Sequence, residues 1–397
     1  MVLKAFKLRL YPNKTQRNQI HVNFGCARFV WNQMLNMQIE RYKNNKKAKF
    51  QGRYSMDVML KALKIEYPWL KQAESTSLQR VNRDLDDAFQ RFFNHSLQNG
   101  FPRFKSKKNT NQSYTSKFVN NNIRIVDEHH IKLPKLGLVY FKAGRILNGK
   151  IRAVTIRVNS RKQYQASILV ESENQTFKKT KKSVGIDLGL ESLTITSDGQ
   201  KEDILKVDDR LNKQLRIWER KKSRRYENAK KAMAFDEHDK VLFPRTDLKQ
   251  FPRYQQAVRT VAKLKKHIAE RRRDNLHKLT TRLVKDYDTI VVENLSVKNM
   301  MKNHHLSASI ANASWGTLIS QLKYKCAWYG KKLIIIDPKN TSRICHECKQ
   351  KNHEFDSLSQ SEWLAAREWD CPNCHAHLDR DVNAAKNILA KGLETLS

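Results

Sequence analysis

The sequence predicts a multidomain α+β protein, and three observations carry that prediction. Apolar residues recur at helical spacing between residues 13 and 99, then at a period of two from about 111 to 170. Beyond a polar stretch at 171–182, short strands alternate with long helices. Two Cys-x-x-Cys pairs interrupt this second half before a last helix. A chain of 397 residues, 39% of them hydrophobic, can hold two or three domains and a substantial core.

Phe6, Leu8 and Leu10 alternate with Lys7 and Arg9, the pattern of a half-buried strand. Tyr11-Pro12-Asn13 breaks it, and Asn13 or Thr15 is placed to cap a helix. Ile20, Phe24, Ala27, Trp31 and Leu35 line one face of that helix. Met56, Met59, Leu60 and Leu63 mark a second helix, and Leu78, Val81, Leu85, Phe89 and Phe92 a third. Gly100 closes this helical block, which is inserted behind a single strand. Ile123/Ile125, Ile131/Leu133, Val154/Ile156/Val158 and Ala166/Ile168/Val170 then alternate, separated by Pro, Gly and Asn. They predict a small antiparallel barrel or sandwich to which the opening strand returns. The polar segment 171–182 reads as a linker. Strands follow at 184–187, 193–196, 289–293 and 333–336. Strongly basic helices fill 207–286, with 233–252, containing Pro244 and Pro252, as the loop between them.

The 77 Lys and Arg against 39 Asp and Glu give a formal charge of +38, spread along the chain. Such a field attracts a polyanion, nucleic acid first; a solvated basic surface is the plain alternative. The opening residues lack the apolar core of an export signal. The longest apolar stretch, 333–336, is far too short to span a bilayer. A soluble, cytoplasmic protein without membrane attachment is expected. Of six cysteines, Cys26 and Cys326 sit in helical patterns as small core residues. The other four form the two pairs, which in this setting point to a metal rather than to disulfides.

Three acids carry the chemistry. Asp187 ends an apolar strand in VGIDLG, where Gly185 and Gly189 let other backbone approach. Glu293 ends the buried strand of TIVVENL. Asp381 lies in DRDVNAAKNIL at the start of a helix whose Ala384, Ala385, Ile388 and Leu389 face a core. Singly, each has an ordinary explanation as a turn or cap residue. Capping is assigned to Asp379 and metal binding to Asp381. Together, three carboxylates can hold two Mg²⁺ ions, with Mn²⁺ as a substitute, for phosphodiester hydrolysis. His304-His305 is expected to face solvent or nucleic acid.

Cys345, Cys348, Cys371 and Cys374 fit one structural Zn²⁺ in a closed Cys₄ ribbon, with His346, His375 and His377 as less favoured ligands. Phe101, Arg103 and Lys105 interleave aromatic with basic side chains in GFPRFKSKK, a pattern suited to stacking and phosphate contact, or equally to anchoring a loop. Arg271, Arg272 and Arg273 form a basic cluster suited to phosphates or to a solvated helix face.

These motifs, in order, resemble the TnpB family, transposon-encoded RNA-guided nucleases related to type V CRISPR effectors. FKLRLYPN, CARFVWN, GFPRFKSKK, NNNIRI with KLPKLG, GIDLGL, HKLTTRLV, VVENL, SWGTLISQLKYKCAWYG and CPNC with DRDVNAAKNI span nearly the whole chain. The resemblance implies a wedge-like β-barrel at 1–12 and 111–180 and a helical recognition lobe at 13–110. It implies an RNase H-like (RuvC) α/β nuclease domain at 181–340 and 379–397, interrupted by a zinc ribbon at 341–378. Asp187, Glu293 and Asp381 would be its catalytic acids. A guide RNA from the transposon end would pair with one strand of a double-stranded DNA target beside a short target-adjacent motif. One centre would cut both strands, and the protein component is expected to be a monomer. Gln79 and Asn120, in regions matching the family's motif-reading surfaces, are candidate base contacts. Lys349 departs from the family, which often has Gly after this cysteine, and the segment between the cysteine pairs and the 233–252 loop are long. Three other readings stay open on sequence alone: an unguided RuvC-like resolvase on branched DNA, a guide-directed repressor without cleavage, and a zinc-ribbon accessory protein.

Overall fold

This computed structural model describes residues 1–97, 99–109, 112–142, 148–159, 163–174, 176–203, 209–232, 245–296, 300, 310, 313–358, 362 and 366–395. The chain divides into two units, 1–174 and 175–397, each with its own buried core.

In the first unit, β1 (Val2–Leu10) leads into α1 (Lys14–Asn44), α2 (Arg53–Glu66) and α3 (Ser75–Phe93). Asn13 starts α1 through a reciprocal cap: its Oδ1 accepts from the Gln16 amide at 2.8 Å, and Gln16 Oε1 accepts from the Asn13 amide at 3.0 Å. The helical faces expected from spacing are the buried ones, with Ile20, Phe24, Leu35, Met56, Leu60, Leu78 and Leu85 almost fully enclosed. They share a core with the sheet residues Val154, Ile156, Ala166 and Ile168.

That sheet has seven antiparallel strands in the order β2-β6-β7-β1-β5-β4-β3. Its remaining strands are β2 (Gln112–Lys117), β3 (Arg124–Ile125), β4 (His130–Leu133), β5 (Gly137–Lys142), β6 (Lys150–Val158) and β7 (Tyr164–Ser172). The opening strand does return: β1 pairs with β7 from Val2↔Ser172 to Leu10↔Tyr164, and with β5 on its other side. No ladder joins β2 to β3 among the described residues, so backbone pairing does not close the sheet into a barrel. The polar strand QSYTSK buries only Tyr114 and Ser116, which is why its sequence gives so little signal.

The second unit is built on a five-stranded sheet in the order β10-β9-β8-β11-β12. These are β8 (Ser183–Asp187), β9 (Ser192–Thr196), β10 (Lys201–Asp203), β11 (Thr289–Glu293) and β12 (Lys332–Ile336). The three strands β8, β11 and β12 are parallel, whereas β8, β9 and β10 form an antiparallel meander. Between strands run α4 (Asp209–Lys231), α5 (Pro252–Asp286) and α6 (Trp315–Tyr329). The hairpin β13 (Glu368–Asp370) with β14 (His377–Asp379) precedes the last helix, α7 (Arg380–Glu394).

Two expectations are corrected. Pro252 is not loop but the first residue of α5, a position where its missing N–H would have no helical partner anyway. Residues 233–244, including Pro244, lie outside the described residues, as do His304 and His305. The segment expected to be a linker, 171–182, does contain the boundary between the two units, but its residues 177–181 are docked on the second. Phe177 stacks on Tyr329 with centroids 4.1 Å apart, and Lys331 Nζ donates to the Lys178 carbonyl at 2.8 Å. Asp288 accepts from the Thr180 amide at 2.9 Å and the Lys181 amide at 2.6 Å. These contacts use main chain and one aromatic ring, which a polar composition conceals.

α7 lies directly on β8. A Cβ added to Gly185 would fall 2.1 Å from the Ala385 carbonyl oxygen and 2.6 Å from the Leu389 amide nitrogen. Gly392 is similarly close to Val291 of β11. Gly185→Ala should therefore push α7 off the sheet and destabilise the second unit by about 3 kcal/mol, measured by chemical denaturation. A change below about 0.5 kcal/mol, the range of a neutral surface substitution, would contradict this packing.

Candidate metal centres

β8 and β11 run parallel with Ile186 opposite Val292, so Asp187 and Glu293, the next residues, emerge at the same carboxyl edge of the sheet. Ligands bind at that edge in parallel α/β sheets. Gly185 and Asp187 share one face of β8, because strand side chains alternate. Asp381 lies one turn before Ala385 on α7, and Ala385 is where the helix touches Gly185. Strand register and helix packing thus bring Asp381 to Asp187.

The electrostatics agree. Burial pushes the Asp187 carboxyl up to about 7, and the carboxylates of Glu293 and Asp381 push it the same way. The Leu188 amide and the Arg380 charge oppose the rise, and Asp187 keeps some accessible surface at the strand end. Glu293 is 6% exposed. Burial raises its pKa, the Thr341 hydroxyl and Lys391 oppose the rise, and Asp337 adds to it. Thr341 Oγ1 donates to Glu293 Oε1 at 2.5 Å. Asp381 is held differently: Oδ1 accepts from Arg380 Nη2 at 2.9 Å and Nε at 3.1 Å, and Oδ2 from Arg367 Nη1 at 3.3 Å. Asp379 is the helix cap, accepting from the Asp381 amide at 3.0 Å and the Val382 amide at 2.9 Å.

Among the described residues, the cysteines are the one group of three or more possible ligands whose donor atoms all lie within 4.8 Å of one another. The three acids do not form such a group. They suit divalent cations through their chemistry: hard oxygen donors, mutual repulsion and an elevated Asp187 pKa that a cation would relieve.

The cysteine group fits Zn²⁺ by geometry. Cys345 and Cys374 Sγ lie 3.7 Å apart and Cys348 and Cys371 Sγ 3.6 Å apart. A tetrahedron of sulfurs about 2.3 Å from a central ion has edges of about 3.8 Å. The two turns are alike. The Lys349 amide donates to the Cys345 carbonyl at 3.0 Å, and the His375 amide to the Cys371 carbonyl at 2.8 Å. Lys349 and His375 both take left-handed backbone, with φ of 63° and 58°. Lys349 therefore stands in a conformation that favours glycine. The Asn373 side chain and the Gln350 main chain draw Cys348 toward the thiolate that ligation requires, while burial raises Cys345, a cost a cation offsets. Of the spare histidines, His346 bonds Asn383 and His377 pairs with Asp370 at 2.8 Å.

The remaining candidates fall in both units, and each is placed within its own. Gln79 is exposed on α3, and Asn120 is exposed in a turn with φ of 48°. Phe101 packs edge-on against Phe89 and Phe92 at 5.5 and 5.3 Å. Lys105 Nζ sits 3.6 Å from the centroid of the Trp31 ring, while Asn32 bonds the Lys105 amide at 2.8 Å and carbonyl at 3.0 Å. The Arg103 carbonyl accepts from Trp31 Nε1 at 3.0 Å. In this structure the strap is anchored by Phe101 and Lys105, and the Arg103 side chain is exposed. On α5, Arg271 and Arg273 are exposed and Arg272 half-buried. Sequence reading missed Thr341, Arg367 and Arg380 around the acids. Only the closeness of Thr341 to Cys345 and the DRD motif offered a hint.

Residues 315–388 match the family model described as "Cas12f1-like, TNB domain", and residues 167–304 the one described as "Probable transposase". A protein of Streptomyces pristinaespiralis named "Putative RNA-guided DNA endonuclease" is 33% identical over 402 residues, covering 99% of this chain and 90% of that one. InsQ of Escherichia coli K12, named in the same terms, is 30% identical over 412 residues, covering 100% and 94%. The chain belongs to the TnpB family. Residues 1–47 also match a model described as a helix-turn-helix domain, yet in this TnpB-family chain they form β1 and a single 31-residue helix. Likeness to a solved Cas12f1–sgRNA–target DNA complex is slight, with a TM-score of 0.36 and 13% identity over 98% of this chain and 99% of that one.

Because the Asp187 pKa is raised in the fold, its protonation is the stabilising event. That contribution is complete below the ordinary aspartate value near 4 and is lost as pH rises through about 7. Without added divalent cation, Asp187→Asn should exceed the wild type in stability at pH 8 by a few kcal/mol, the difference shrinking toward pH 4. Equal thermal unfolding at pH 8 would contradict the clustered acids. Lys349→Gly should relieve left-handed strain of about 1 kcal/mol and slow zinc release to a chelator, while Cys371→Ser should lose the zinc. Unchanged zinc content in Cys371→Ser would remove that residue from the site.

Proposed function

We propose that this chain is an RNA-guided DNA endonuclease whose hydrolytic centre is Asp187, Glu293 and Asp381. The observation that carries the proposal is the meeting of these acids at the carboxyl edge of β8 and β11 under the first turn of α7. Support comes from a +38 chain that aligns over its full length with relatives named for that activity. Two Mg²⁺ ions, for which Mn²⁺ can substitute, would be held by these carboxylates and supply an acidified water and charge neutralisation at the leaving oxygen. Thr341 keeps Glu293 in place by its hydrogen bond. Asp381, now held by Arg380 and Arg367, would turn to the cation when one is bound. The cysteines hold one structural Zn²⁺.

Residues 181–340 and 379–397 act as the RuvC-like nuclease domain, with the zinc ribbon at 341–378. Residues 1–12 and 111–180 form the wedge, and 13–110 the recognition lobe. The guide RNA supplies sequence choice by base pairing, and the basic chain holds the heteroduplex through its backbone. Gln79 and Asn120 read the target-adjacent motif, while Arg103, Arg271 and Arg273 contact phosphates. The site of action is the cytoplasm.

Asp187→Ala should reduce cleavage of a guide-matched duplex to background while leaving guided DNA binding close to wild type. Cleavage retained at equal Mg²⁺ would remove Asp187 from the centre. Loss of binding and cleavage together would assign it a folding role instead.

A further inference from the structure

Two asparagines of the last helix face the segment that leads into the first cysteine turn. Asn383 and Asn387 are one turn apart on α7 and are only 1% and 8% exposed. A buried amide in a helix is costly unless its hydrogen bonds are made. Here both amides bond to one short segment, 341–346, which runs into the first cysteine turn. Asn383 Nδ2 donates to the Ile344 carbonyl at 2.8 Å, and its Oδ1 accepts from the His346 amide at 2.8 Å. His346 Nδ1 lies 2.9 Å from the same oxygen. Asn387 Nδ2 donates to the Thr341 carbonyl at 2.9 Å and to the Ile344 carbonyl at 2.6 Å.

The residues bracketing Cys345 are thus fastened to the helix that begins with Asp381. Thr341, whose carbonyl is held by Asn387, donates its hydroxyl to Glu293. One segment therefore touches the zinc turn, the helix of one acid and the side chain of another. Apolar residues would serve if α7 needed only to stick to this segment. Directional amides fix where it sits.

We infer that Asn383 and Asn387 are positioning residues that couple the zinc turn to the acidic centre, setting the affinity of Asp187, Glu293 and Asp381 for a divalent cation. This rests on the proposal that those acids bind the cation. Partners that orient ligands from outside the coordination sphere alter metal affinity by about tenfold to a hundredfold when removed.

The test is Mn²⁺ binding to the full-length, zinc-loaded protein, followed by the paramagnetic resonance signal of free Mn²⁺, with zinc content and thermal unfolding measured alongside. Asn387→Leu and Asn383→Leu should keep one zinc per chain yet weaken Mn²⁺ binding by about tenfold. Thr341→Val should do the same, and Thr341→Ser, which keeps the hydroxyl, should stay near wild type. Cys374→Ser should weaken Mn²⁺ binding in the wild type but add little in the Asn383→Leu/Asn387→Leu background, because the connection is already cut. Wild-type Mn²⁺ affinity in the asparagine variants, or independent addition of the cysteine and asparagine effects, overturns the inference. If an asparagine variant fails to fold, equal affinities of Thr341→Val and Thr341→Ser overturn it. Asp187→Ala separates the two levels. If it binds Mn²⁺ as the wild type does, the metal-binding proposal itself fails. If it does not, that proposal stands and the asparagine and threonine results decide.

Discussion

The arrangement depends on one close approach, the backbone of α7 against the backbone of β8 at Gly185. With no side chain there, the Ala385 carbonyl and the Leu389 amide reach distances that a Cβ would forbid. That contact fixes the height of the helix along the strand, and hence places Asp381 over Asp187. Glu293 then follows from the parallel register of β11 beside β8. Three acids remote in sequence are gathered by a single glycine and a strand pairing.

Gathering like charges works against folding, and the surroundings show how that opposition is met. Asp381 is covered by Arg380 and Arg367, Glu293 by the Thr341 hydroxyl, and burial raises the pKa of Asp187. Arg380 is itself buried and also donates to the Ala366 carbonyl at 2.9 Å. It acts as a stand-in for external positive charge. At the proposed metal site a cation would compete with it, and so with the segment that precedes the hairpin β13–β14.

Much of this was legible in the chain. The helical faces of α1 to α3, the β strands that end in Asp187 and Glu293 and the cap at Asp379 follow from spacing and capping rules, and the structure has them. The four cysteines gather as their spacing requires. Other features had no local signal. β2 is polar because only one side of it is covered, and the 176–182 segment docks through main chain. Pro252 reads equally as loop or helix start. Asn383 and Asn387 look like ordinary polar helix residues until the segment they hold is seen. Convergence of the acids was suggested by three carboxylates at strand and helix ends, and again by the resemblance to TnpB. Its physical cause, the register and the glycine contact, needed three dimensions.

The most direct test of the account is the RNA that accompanies the protein when it is expressed with its native flanking DNA. The account predicts one abundant species ending in a transposon boundary followed by variable sequence, and replacement of that variable end should redirect cleavage to a matching duplex. Heterogeneous cellular RNA, with metal-dependent cutting that ignores its sequence and favours branched DNA, would contradict guidance and leave an unguided nuclease.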